Sequence, residues 1–424
     1  MIMIILTFSA CARIPFLDRF RSQATGTVTV TPTQPLAGSE TPTPGPTAVE
    51  TDTLTIWVPP DWDPGLETES ASLFQQRVDD FSDLNPGIQI KVRVKALRGP
   101  GGILDTLDTA QDAAPLVMPD VVVLPHSGME EAAKKGVINA LEGYTEFDEE
   151  LEWFAFSRDL SMVDEQIFGI PFAADILVFA YKSDTIESPP GDWETLLSTQ
   201  KPAAFAAADP QALVTLAFYE SLGGSIAFLN EDFVMDRTPL QDLFEFYQRA
   251  NESDVMPYWL TQFESDQSAW KAYSERQSTQ VITWSTNYLS SQQTNTALDA
   301  LPTENGRPFS YARGWLWSVA STDPRKVDLA LQFINFAGDE EFLAEWNDAA
   351  GYVPVRGDVL NLWMERHPEL TVIEQLLPAA KAVPPQDTLS QVGPAVSESV
   401  LAVLKDQVDP DQAATQVLDR LDQR

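Results

Sequence analysis

Between Leu54 and Tyr144 the apolar period switches repeatedly between that of a strand and that of a helix. This alternation constrains the fold more than any other feature of the chain. Leu54-Thr55-Ile56-Trp57-Val58 is a short β-type run stopped by Pro59-Pro60. From Ser70 onward Phe74, Val78 and Phe81 recur at helical spacing, and Asn85-Pro86-Gly87 ends that helix. Ile88, Ile90, Val92 and Val94 then alternate with Gln89, Lys91, Arg93 and Lys95. Such a half-polar strand belongs at a sheet edge, because central parallel strands are apolar on both faces. Ile103, Leu104, Leu107 and Ala110 mark a second helix, and Val121 to Leu124 a buried strand. Ser127-Gly128-Met129-Glu130 reads as a capping box with Ser127 as N-cap, opening a helix that Gly136 closes. The product is βαβαβ, the seed of a doubly wound α/β sheet.

Farther along, Ile176 to Tyr181, Gln280 to Trp284 and Trp315 to Ala320 read as strands. Helical patterns occupy Asp192 to Ser198, Gln211 to Leu222 and Leu240 to Ala250. From Asp323 the chain reads as helical to its end, with Pro324 opening one helix and Asp409-Pro410 the last. The apolar fraction of 44% is ample for sizeable cores. A net charge of −36 disfavours nucleic acid and anionic lipid headgroups as partners. With one cysteine, no internal disulfide and no thiolate metal cluster can form, and two histidines exclude most His-based metal or triad chemistry. No metal, cofactor or catalytic residue is expected. The 63 acidic residues produce carboxylate pairs by chance, and no signature joins two of them as a glycosidase would require.

The start of the chain carries separate information. Met1 to Ala10 is an apolar run too short to span a bilayer but suited to a secretion signal. It ends at Cys11, and with Ser9-Ala10 before it the site resembles a bacterial lipoprotein cleavage site. Residues 1–10 are then a signal peptide, with Cys11 lipidated. Residues 11–52 form a tether whose Thr-Pro and Pro-Gly pairs cannot bury enough apolar surface to order themselves.

Several segments together carry a family resemblance. They include Leu54-Thr55-Ile56-Trp57, Phe81-Ser82-Asp83-Leu84-Asn85-Pro86-Gly87-Ile88, Pro119-Asp120-Val121-Val122 and Lys135-Gly136-Val137-Ile138. Gly169-Ile170-Pro171-Phe172 leads to Phe179-Ala180-Tyr181-Lys182, where the family usually has Tyr-Asn in place of Tyr181-Lys182. Asp192-Trp193-Glu194-Thr195-Leu196-Leu197 and Gly351-Tyr352-Val353-Pro354-Val355-Arg356 complete the set, the last being the most specific. In this order they resemble the extracellular solute-binding proteins of ABC importers, specifically the family 1 group that mostly binds sugars. The resemblance covers nearly all of Leu54 to Gln423. It implies a two-lobed, periplasmic-binding-protein-like fold of type II, each lobe a doubly wound sheet flanked by helices, joined by hinge strands. Lobe 1 would comprise 53–167 plus 281–311, and lobe 2 172–280 plus 315–424. The crossings would fall near Ile170–Asp175, Gln280–Trp284 and Tyr311–Trp317.

A sugar cleft needs aromatic plates and polar forks. Loops leaving the carboxyl ends of strands supply the candidates. Trp62 and Asp63 follow the first strand; their alternatives are a cover for the sheet end and a turn before Pro64. His126 and Ser127 follow the strand at Val121, at a helix start whose amides suit a polar group. Phe172 and Asp175 lie in the crossing segment, Asp175 as hydroxyl acceptor or structural carboxylate. Trp284 is the leading stacking candidate, with core packing as its rival, and Asn287 follows it. Arg313 and Trp315 form a second group, and Tyr352 either closes over the ligand or packs on C-terminal helices. The implied protein is a monomeric, lipid-anchored, extracytoplasmic receptor that passes a mono- or oligosaccharide to ABC permease subunits in the membrane. A polyamine or peptide receptor on the same fold, or a tethered carbohydrate-active hydrolase or lyase, are the alternatives.

Overall fold

Strand β1 (Asp52–Val58) turns Leu54, Ile56 and Val58 to one sheet face and Trp57 to the other. Strand β2 (Ile88–Val94) pairs with it in parallel at the sheet edge, the place its half-polar pattern requires. Strand β3 (Val121–Pro125) flanks β1 on the other side, Val121 and Val123 facing one apolar cluster and Val122 and Leu124 the other. The computed structural model describes residues 52–113, 117–141, 152–229, 232–291 and 293–422. The expected signal segment 1–10, Cys11 and the tether as far as residue 51 lie outside them.

The remaining strands are β4 (Met162–Val163), β5 (Gln166–Ile167), β6 (Ile170–Lys182), β7 (Ala203–Ala204), β8 (Ile226–Leu229), β9 (Asp232–Met235), β10 (Gln280–Trp284), β11 (Thr296–Asp299), β12 (Ser310–Val319) and β13 (Ala380–Ala382). β4 with β5, and β8 with β9, form two small hairpins. The rest join in the order β2-β1-β3-β12-β6-β10-β7, with β11 on β6 and β13 on β12. β6 is long because it serves two neighbourhoods. Its residues up to Ile176 pair antiparallel with β12, and those from Leu177 pair antiparallel with β10 and β11.

The apolar core divides along the same line. One cluster gathers β1, β3, the first part of β6 and most of β12 with the helix Glu69–Leu84. That helix buries Phe74, Val78 and Phe81, each contributing about 1.5–3 kcal/mol. Trp57, Leu104, Leu107 and Met129 cover the opposite sheet face. A separate cluster gathers Leu177, Phe179 and Ala180 of β6 with β10 and the helices Leu213–Ser221, Arg237–Glu252 and Gln386–Leu404. The fold is thus the two-lobed α/β architecture expected.

The chain crosses between clusters in β6, between Tyr311 and Ala312 of β12, and between Ala380 and Leu389. This corrects the expected boundaries. β10, Leu301 and Phe309 lie in the second cluster, while Tyr288, Leu289, Leu298 and Ala300 pack against the first, so 281–311 is divided between the lobes rather than wholly part of lobe 1. The helices Pro324–Ala337, Glu340–Ala350 and Gly357–Arg366 pack into the first cluster, so the stretch from Trp315 to Ala380 does not join lobe 2. An amphipathic helix fits either apolar surface, and its pattern does not say which one it covers. At the β6–β12 crossing Gly314 is obligatory, because a Cβ there would stand 2.8 Å from the Ala173 carbonyl oxygen. Among the described residues, no helix is long and apolar enough to cross a membrane.

Candidate functional site

A cavity of about 370 Å³ opens where β6 and β12 cross. Its position follows from the topology: β3 delivers Pro125 and the next helix, His126–Lys134, to the carboxyl end of the first sheet. First-lobe residues on its wall include His126, Ser127, Glu130, Trp315 and Tyr352; the second lobe contributes Gln211, Leu213, Thr286, Gln386 and Leu389. Asp175, Arg313 and Gly314 come from the crossing strands.

Asp175 and Arg313 stand directly opposite each other in the β6–β12 register. Asp175 Oδ2 accepts from Arg313 Nε at 3.1 Å and Nη2 at 2.8 Å, and from Thr286 Oγ1 at 3.0 Å. Oδ1 accepts from Ser285 Oγ at 2.9 Å and Thr286 N at 3.0 Å. These bonds let Asp175 fix the start of the helix Ser285–Leu289 and orient Arg313, while its carboxylate still borders the cavity. The Arg313 side chain, 46% exposed against 3% for Asp175, presents its remaining surface to the cavity.

The aromatic wall has two ranks. Trp315 Nε1 donates to the Tyr352 hydroxyl at 3.0 Å, and both residues line the cavity. Burial pushes the Tyr352 hydroxyl up to about 12, so it stays a neutral donor and acceptor. Behind them Trp62 stacks on Trp346 at 4.3 Å, meets Trp315 edge-on at 5.1 Å and meets Phe172 at 4.9 Å. The β6–β12 register skips Phe172, whose ring stacks on Trp317 at 4.8 Å. Gly351, at a φ of 73°, ends the helix Glu340–Ala350 in the left-handed region and turns Tyr352 toward this wall.

The expected residues thus separate. His126, Ser127, Asp175, Arg313, Trp315 and Tyr352 come together around the cavity. Trp62 and Phe172 are buried behind it. Trp284 is 4% exposed in the second cluster, and the Arg313 guanidinium lies 4.1 Å above its ring, so the geometry matches core packing rather than an open plate. Asn287 Nδ2 is engaged by Asp266 and by Thr283 Oγ1. Asp63 accepts from Gly65 N at 2.8 Å, the turn its place before Pro64 suggested. Ser127 is not an N-cap: the helix begins at His126 with Pro125 before it, leaving Ser127 in the first turn facing the cavity. The preset φ of Pro125 starts the helix without a side-chain cap.

Glu130, Gln211, Thr286 and Gln386 escaped the sequence reading. Glu130 alone left a signal, one helical turn beyond His126 and so on the same helix face. Asp266 also escaped; burial pushes its carboxyl up to about 6, beside Asn287. Among the described residues no group of His, Cys, Asp and Glu is arranged to hold a metal ion.

A family model described as bacterial extracellular solute-binding protein matches residues 76–372. No curated protein matches the chain in sequence. Several solved structures share its fold. The cyclic alpha-maltosyl-1,6-maltose binding protein of Arthrobacter globiformis superposes with a TM-score of 0.73 at 16% identity, over 88% of this chain and 98% of that one. The sugar-binding protein MalE of Xanthomonas citri gives 0.69 at 16% identity, over 88% and 96%. An ABC transporter solute-binding protein of Thermotoga lettingae, bound with alpha-D-tagatose, gives 0.65 at 18% identity, over 88% and 99%.

Proposed function

The chain belongs to the bacterial extracellular solute-binding proteins, and from that membership we propose that it is the receptor of an ABC importer, that its solute is a carbohydrate, and that lipid on Cys11 tethers it to the membrane. The family is one of binding proteins that work outside the cytoplasm. The neighbours in fold are sugar binders by name. Their low identity speaks for the fold alone, so the support for a sugar comes from this chain's own cavity. There an aromatic pair, Trp315 and Tyr352, stands beside side chains that donate, accept or do both: Arg313, Gln211, Thr286 and Gln386. Sugars match such a wall, with C–H faces for the rings and hydroxyl edges for the polar groups. This combination is the observation that carries the reading. Asp175, whose lone pairs are committed to Ser285, Thr286 and Arg313, holds this wall together rather than standing free beside the solute.

In this reading the monomer closes when solute touches both walls, a population shift set by differential affinity for the closed state, and the closed form delivers its load to the permease subunits. A thermal-shift panel of maltose, trehalose, D-tagatose and D-glucosamine tests it on protein cut at the tether. A sugar at 100 times its Kd should add about 2.7 kcal/mol, and should be recovered intact. A panel in which no sugar shifts the midpoint defeats the carbohydrate reading; cleavage of the sugar defeats the receptor.

A further inference from the structure

A second cavity, of about 300 Å³, adjoins the first; His126, Glu130, Val383 and Pro384 line both. His126 and Glu130 are the polar pair at this neck, only 6% and 4% exposed. His126 Nδ1 lies 2.8 Å from the Leu160 carbonyl oxygen. A carbonyl can only accept, so Nδ1 carries the proton. Burial holds the imidazole neutral by lowering its pKa, which leaves Nε2 as a bare lone pair. Nε2 stands 3.8 Å from Glu130 Oε2, itself an acceptor. Oε2 also takes the Gln386 backbone N–H at 3.1 Å, across from the second lobe. Glu130 Oε1 has no donor among the described residues. Two acceptor atoms therefore face the neck, open to the cavities, where a donor of the ligand can reach both.

We propose that His126 Nε2 and Glu130 form a specificity element that receives a hydrogen-bond donor of the ligand where it passes from one cavity to the other. The donor is a sugar hydroxyl or the protonated amine of an amino sugar, and the inference rests on the carbohydrate reading above. Because Glu130 also holds Gln386, a ligand bound there engages both lobes through one carboxylate.

Glu130→Gln keeps an amide oxygen for Gln386 N–H and replaces the other acceptor by a donor. Calorimetric titration with maltose, D-glucose and D-glucosamine should show affinity falling about 10- to 100-fold. A fall confined to D-glucosamine identifies the amine as the donor; an equal fall for D-glucose or maltose identifies a hydroxyl. Nitrogen-15 NMR supplies a readout that holds even if the variant folds poorly. His126 and His367 are the chain's two histidines, and saturating sugar should move the unprotonated Nε2 resonance of His126 upfield while the ring nitrogen resonances of His367, whose Nε2 donates to Asp348 Oδ1 at 2.8 Å, stay in place. Unchanged affinity in the variant, or a still His126 resonance under saturating sugar, overturns the inference and leaves the carbohydrate reading standing. If no probe binds the wild-type protein, the carbohydrate reading fails first and takes this inference with it.

Discussion

Replacing Asp175 by Asn tests the hinge network where it meets the cavity wall. The amide retains Oδ1 for Ser285 Oγ and Thr286 N, but its NH2 then faces the Arg313 donors that Oδ2 received at 3.1 and 2.8 Å. Breaking a buried ion pair from one side costs about 3–5 kcal/mol, because the partner charge is left uncompensated. Arg313 is 46% exposed and regains water, which sets the expected loss at the lower end, about 3 kcal/mol. With an unfolding entropy of about 2.1 cal/mol/K per residue, the melting midpoint of a chain this long should fall by roughly 4 °C. Calorimetry on tether-free protein without sugar measures it. The intrinsic fluorescence should shift as well, since the guanidinium above Trp284 is released. If the variant melts within a degree of wild type yet binds sugar over a hundredfold more weakly, Asp175 serves the ligand rather than the hinge, and the structural assignment is wrong.

Two tryptophans should respond in opposite ways. Trp315→Ala should weaken sugar binding by about 1–3 kcal/mol, by analogy with base–aromatic stacking, with little change in the midpoint. Trp284→Ala should cost about 3–5 kcal/mol of stability, as deletion of a buried aromatic does; normal stability with lost binding would reverse that assignment. Asp266 should give the chain a pH signature. Burial raises its carboxyl to about 6, so the folded chain holds the proton more tightly than the unfolded one. The linked stability is present below about pH 4 and lost as pH rises through about 6. Asp266→Asn should remove up to about 3 kcal/mol of that decline; a constant offset between the melting curves of variant and wild type from pH 4 to 7 would refute the shift. Finally, mass spectrometry of the native protein should find Cys11 as the lipid-bearing first residue, and a mature chain that retains Met1 would end the anchor proposal.

The local arguments were legible in the sequence because their partners are near neighbours. β2 sits at the sheet edge as its Lys and Arg residues require, and Asp192 and Asp409 cap the helices they precede. The alternation in β12 puts Trp315 and Trp317 on one face with Leu316 on the other. The site was legible only in part, and for the same reason. Asp175 reads as a carboxylate between apolar runs, yet its role depends on donors 110 to 138 positions away, brought in by strand register. Trp62 follows β1, Trp284 ends β10 and Trp315 lies within β12, and nothing local tells them apart; which one is left uncovered depends on which helices pack over it. β13 is Ala-Lys-Ala, with no pattern of its own, yet the third crossing follows it. Periodicity and capping, which are short-range, determined the elements and the α/β class from the sequence alone. Only tertiary structure decided which apolar surface each element covers, and so which polar groups the cleft receives, because those contacts are long-range and the apolar surfaces that compete for them are chemically equivalent.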